Sequence, residues 1–226
     1  MKKFAFLGIF LLFAVSCSKK ESQKMETSLS TFLAQSPALQ TIALKKSTLL
    51  NEADTLKPQE GADLEALTRI QIKISDVFAE EMPKLIQEEQ EAKLAAIQSW
   101  GERERQDVTH ELGEVETTAL CELLATKVRA NQAALQRFAN FQLLAQEATQ
   151  MAGKAQALID EGNQDTLQEF QEKFNALGAL VLEERNWIVL HPPLENDQAV
   201  IAAFKEEHPS SQCLEGALSL YHSRYH

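Results

Sequence analysis

The sequence predicts an all-α protein: an elongated antiparallel helical bundle that follows a cleaved signal peptide and a flexible tether. Three observations carry this. Ala, Gln, Glu and Leu dominate while aromatic residues are only 7% of the 226, a balance that favours helix over strand. Every strong apolar period is 3.5 to 3.6 residues, and no alternating run of useful strand length occurs. Eight Gly and six Pro among residues that are 44% hydrophobic are compatible with a folded core and exclude collagen-like or disordered chains.

From the N-terminus, Lys2 and Lys3 precede an apolar run from Phe4 to Val15, the size of a signal-peptide core and short of the roughly 20 residues that span a bilayer. Residues 18–28 are Ser, Lys, Gln, Glu and Thr with a single Met25, too polar to pack a core, and read as a tether of roughly 15 to 20 Å root-mean-square reach. The division is therefore 1–16 signal peptide, 17–28 tether and 29–226 helical domain. Removing Lys2 and Lys3 from 22 basic residues leaves 20 against 33 acidic ones, a net charge of −13. That balance argues against nucleic acid as a partner and against an electrostatic hold on an anionic membrane face.

Leu29 to Leu50 reads as a first helix redirected near Pro37, and Lys57-Pro58-Gln59-Glu60-Gly61 as a turn. Leu67, Ile70, Ile74, Val77, Phe78 and Leu85 form one face of an amphipathic helix that Pro83 must end near Glu81 or kink before it continues to Trp100. Gly101 marks a second interruption. A long stripe through Val108, Leu112, Leu120, Leu124, Val128, Leu135, Phe138 and Leu144 predicts one long helix from Asp107 to Met151. Gly153 and Gly162-Asn163 read as stops, and Asp165-Thr166-Leu167-Gln168 as a capping-box variant opening a helix whose inner face is Leu167, Phe170, Phe174, Leu177, Val181 and Ile188. His191-Pro192-Pro193 ends that helix, Asn196 caps a short one carrying Val200, Ile201 and Phe204, and His208-Pro209 stops it. A last helix is expected from about Ser211. No internal repeat is found.

The segment Ala14-Val15-Ser16-Cys17, with small residues before a lone cysteine and Ser18-Lys19-Lys20-Glu21-Ser22 after it, resembles the lipobox of bacterial lipoproteins. Ala14 stands where Leu is commonest in that family, and Val15 where Ala or Ser is more usual. The resemblance covers residues 1–17 and implies cleavage before Cys17, a diacylglycerol on its sulfur, an acyl group such as palmitate on its new amino group, and a place in the bacterial cell envelope. The alternative is an ordinary secretory signal cut near Ser16. Lipid chains anchor through buried methylenes, and two or more hold firmly where one holds only marginally.

Candidate chemistry is sparse. His110-Glu111-Leu112-Gly113-Glu114 resembles the start of a zinc-protease helix but has Glu114 where the second histidine belongs. Asp107 and His110 have the spacing of a di-metal bundle pair without a second pair. His222 and His226 share a helical face at the chain end, and His191 and His208 lie in helix-ending loops. No haem attachment, phosphate-loop, dinucleotide or nucleophile-elbow pattern occurs. No cofactor, metal ligand or catalytic residue is therefore assigned. Cys121 and Cys213 are a candidate disulfide that would tie the middle of the long helix to the terminal one; the other reading has Cys121 as a buried apolar residue and Cys213 as a free thiol.

The functional expectation is a lipid-anchored envelope protein, not an enzyme, whose partners are the membrane and other envelope proteins. Its alternatives are a ligand-binding lipoprotein with a cavity between helices, which Trp100, Trp187 and the phenylalanines would line, and a metal-dependent enzyme.

Overall fold

A computed structural model describes residues 28–56, 61–160 and 164–210, together with Gly162 and Cys213. Among the described residues the regular structure is entirely helical. Helix α1 spans Leu29–Ala34, α2 Pro37–Thr55, α3 Leu64–Asp76, a π-helical turn Val77–Glu81, α4 Met82–Glu104, α5 Thr109–Asp160, α6 Gln164–Leu190 and α7 Asp197–Glu207.

Local chemistry explains the boundaries. Ser28, Ser36, Asp63 and Asn196 each place a side-chain oxygen on a backbone N–H three residues ahead, opening α1, α2, α3 and α7. Pro37 sits in the first turn of α2, where its missing N–H costs nothing, so the redirection expected near Pro37 is the short break between α1 and α2. Pro83 does not end the next helix. The π turn ends two residues before it, and the Met82 N–H reaches back five residues to the Val77 carbonyl. This wider turn adjusts the hydrogen-bond ladder where the proline ring and its missing donor would otherwise disrupt it, and the chain continues helical through α4.

Gly101 is likewise not an interruption. It lies in the last turn of α4 as a close-approach point: a Cβ there would meet Val108 Cγ1 at 2.7 Å. The helix ends at Arg105, whose φ of 56° is left-handed, and the Gln106 N–H closes on the Gly101 carbonyl. The long helix runs past its expected end at Met151, because Gly153 is exposed and its propensity cost of about 1 kcal/mol is too small to break a packed helix. The chain turns at Gly162 with φ +72°, and α6 begins at Gln164, which puts Asp165 inside the first turn instead of at the cap. The turn expected at Lys57–Glu60 and the helix expected from Ser211 lie outside the described residues.

At about 1.5 Å per residue the 52 residues of α5 run about 78 Å, and α3, the π turn, α4, α6 and α7 pack along it. As α5 ascends from Arg137 to Leu144, its α6 partners descend from Glu184 to Leu180 and Leu177, so the pair is antiparallel. On another flank, Phe78 lies near Ala130 and the Gly101 backbone near Val108, so α3, the π turn and α4 form one continuous rod antiparallel to α5. Helix α2 packs on this rod through Ala53, Leu49 and Leu50 against Val77 and Phe78. Helix α7 continues along α5 beyond the α6 elbow, with Val200 and Phe204 against Leu124 and Val128. Among the described residues, hydrophobic clusters are thus spaced along α5.

Candidate functional site

The most unusual chemistry lies where α3, α5 and α6 meet. Arg137 is 1% exposed and Glu184 is fully buried. The guanidinium donates from Nε to one Glu184 oxygen at 2.9 Å and from Nη2 to the other at 2.7 Å, the parallel fork that only arginine supplies. Its Cζ lies 3.6 Å from the Trp187 ring centroid, and Trp187 in turn stacks on His191 at 4.7 Å. A carboxylate, a guanidinium, an indole and an imidazole therefore form one stack that runs from the bundle interior to the exposed end of α6. The helical period makes it possible: Glu184 and Trp187 are three apart on α6, and His191, just past its end, is four from Trp187, with its N–H on the Trp187 carbonyl.

Around this stack the polarity is only partly matched. Arg137 Nη1 and Ser75 Oγ, both buried, find no hydrogen-bond partner among the described residues. Asp76, next to Ser75 and just before the π turn, has its carboxyl pKa raised; burial is the main cause, partly opposed by the positive charge of Arg137 and reinforced by Glu80, Glu81 and Glu184. Asn140, also buried, accepts from the Gln136 amide at 3.2 Å. Six residues before Arg137 on α5, Asn131 clamps the α6–α7 elbow by accepting from the Leu194 N–H at 2.7 Å and donating to the Leu194 carbonyl at 3.2 Å.

A second network joins α2, α4 and α5. Lys46 Nζ reaches Glu89 at 2.6 Å and Glu122 at 2.5 Å. Burial works to lower the Lys46 pKa, but the hydrogen bonds and charges of Glu122 and Glu89 outweigh it and raise the pKa above its ordinary value. Glu89 shows the converse, with burial opposed and overcome by Lys46 and Lys93, so its carboxyl lies below the usual range. Beside this network is an open groove of about 410 Å³ between α2 and α4, lined by Lys46, Leu50, Asp54 and Glu89. A pocket of about 440 Å³ near Leu64, Leu143 and Met151 is similarly open, and the space beside Ile86 and Val115 holds only about 10 Å³.

The residues singled out from sequence are scattered. His110 and Glu114 are exposed and 3.8 Å apart, while Asp107 accepts from the Thr109 N–H and hydroxyl, the hydroxyl first in weight among the contacts that depress its carboxyl. His191 stacks on Trp187, and His208 tilts against Phe204 at 4.5 Å. No group of three or more His, Cys, Asp or Glu among the described residues could hold a metal. Trp187 sits against Arg137. Cys17, His222 and His226 lie outside the described residues.

Cys121 and Cys213 are joined as a disulfide with Cα atoms 5.1 Å apart. Cys121 falls in the first quarter of α5, not its middle, because the helix extends to Asp160. The bond therefore holds Cys213 near the α4–α5 end of the bundle.

The Arg137 centre was missed from sequence. A single arginine on an Ala- and Gln-rich helix reads as solvated surface, and only the coincidence of Glu184 and Trp187 on the inner stripe of α6 could have flagged it. Comparison of the chain with protein families, with curated proteins and with solved structures finds no match.

Proposed function

We propose that this chain is a lipid-anchored protein of the bacterial cell envelope, held by Cys17 and working through contacts with other envelope proteins. The observation that carries the reading is the apolar run from Phe4 to Val15 ending in Ala14-Val15-Ser16-Cys17. Three features support it. The domain's first capped helix starts at Leu29, eleven polar-rich residues after Ser18, which leaves room for a tether. No helix among the described residues is long and apolar enough to cross a membrane, and acyl chains on Cys17 would anchor the domain without one. A Cys121–Cys213 disulfide suits an exported protein, since such bonds persist in oxidising compartments.

A protein-interaction role is favoured over ligand binding because the two larger grooves described above are open and the buried polar centre is filled by its own ion pair. The test is metabolic labelling with palmitate followed by fractionation. Label should enter the wild-type protein and be absent from Cys17→Ala, which should leave the membrane fraction. Label retained by Cys17→Ala would overturn the proposal.

A further inference from the structure

The elbow between α6 and α7 exposes apolar side chains that the bundle does not need. Val189 is 71% and Leu190 74% exposed, with Leu194 also exposed just past the two prolines and Leu182 two turns back on the same outer side as Val189. This side faces away from Leu180, Glu184 and Trp187, which meet α5. Val189, Leu190 and Leu194 fall within six positions, on a backbone pinned by neighbouring contacts. The Trp187 ring is fixed between Arg137 and His191, and Asn131 holds both backbone groups of Leu194.

Size and position decide the occupant. Val189, Leu190 and Leu194 together expose on the order of 300 Å², well short of the ~800 Å² per partner that a stable protein interface buries. A second copy or a protein partner is thereby disfavoured. A bilayer needs far less area if the domain is already tethered to it, because tethering supplies a high effective concentration. The reach is adequate. Helix α1 lies at the α4–α5 end, where Arg103 covers Phe32, and the elbow meets α5 at Asn131, about 33 Å along the axis from Thr109. Residues 17–28 extend to about 40 Å at most, enough for Cys17 and the elbow to touch one surface with the bundle lying along it.

We propose that the Val189-Leu190-Leu194 elbow is a second, shallow membrane contact that lays the bundle on the bilayer, a step that rests on the anchoring proposed at Cys17. Exposed Glu183, Arg185 and Glu195 flank the elbow with charges of both signs, so the contact is carried by apolar side chains entering phospholipid and does not select a headgroup charge.

The experiment couples the chain from Cys17 onward, with Cys121–Cys213 bonded, to a maleimide lipid in phosphatidylcholine and phosphatidylethanolamine vesicles whose acyl chains are brominated. Anchoring is thus imposed chemically, so failure here sinks the elbow contact, whereas failed palmitate labelling sinks the anchor. Val189→Trp in a Trp100→Phe background reports the elbow, with the parent's Trp187 signal subtracted. The added emission should fall about twofold relative to unbrominated vesicles. Adding Leu190→Asp and Leu194→Asp should abolish the quenching without changing the helical melting curve. Unquenched emission, or quenching that survives the aspartates, would overturn the proposal. So would dimerisation of the uncoupled chain in solution that the same aspartates abolish, since the occupant would then be a second copy.

Discussion

Replacing Arg137 by Met should be among the most destabilising single changes in the domain. The substitution leaves Glu184 in a fully buried position with neither of its two guanidinium donors, and removes a cation held 3.6 Å from the Trp187 centroid. An uncompensated buried charge costs about 3 to 5 kcal/mol, a large part of the roughly 5 to 15 kcal/mol that holds a typical domain folded. Glu184→Leu should cost a similar amount by stranding the guanidinium. The double variant is the informative one. With both charges gone, neither desolvation penalty remains, and apolar replacements of similar volume fill the space, so its cost should be under about 2 kcal/mol, far below the sum of the singles. Equilibrium urea unfolding under non-reducing conditions, followed by far-ultraviolet circular dichroism, measures all four corners of the cycle. Single variants that each cost under about 1 kcal/mol, or a double equal to their sum, would refute the claim that this is a dry, coupled pair.

Three further outcomes follow from the same structure. Cys121→Ser with Cys213→Ser should lower unfolding free energy by up to about 4.6 kcal/mol, the chain-entropy value for a separation of 92 residues, and reducing agent should lower the thermal midpoint of wild type but not of this variant. Asp76→Asn should raise the midpoint near neutral pH: the folded carboxyl pKa is raised, so ionisation disfavours the fold as pH rises through that value, and the variant's gain should vanish in acid, where Asp76 is already neutral. Gly101→Ala should destabilise the α4–α5 turn despite alanine's better helix propensity, because the new methyl would meet Val108 Cγ1 at 2.7 Å; hydrogen exchange of residues 102–112 should speed up.

Period and punctuation made the helical architecture legible. The stripe from Leu120 to Leu144, the His191-Pro192-Pro193 stop and the Asn196 cap all act within a few residues, and the structure has each where local chemistry puts it. Glycine and proline were harder to read because their effect depends on a partner. Pro83 is absorbed by a π turn, Gly153 is carried by a helix already committed through its neighbours, and Gly101 is needed by Val108 across the turn, a contact no window of sequence contains. The Arg137 centre was illegible for the same reason on a larger scale. Its members come from α3, α5 and α6, and the register that brings Arg137 opposite Glu184 is set by the whole α5–α6 pairing. The exposed apolar elbow was half legible: Trp187 to Leu194 reads as helix end and proline stop, but which of its side chains face outward depends on where α5 lies.

The mass of the intact protein extracted from bacterial membranes tests the central proposal most directly. The account predicts a chain beginning at Cys17, heavier than its polypeptide by a diacylglyceryl group and an amide-linked acyl chain, with two hydrogens fewer for the Cys121–Cys213 bond. A chain that begins elsewhere, or one that begins at Cys17 with the bare polypeptide mass, would contradict it.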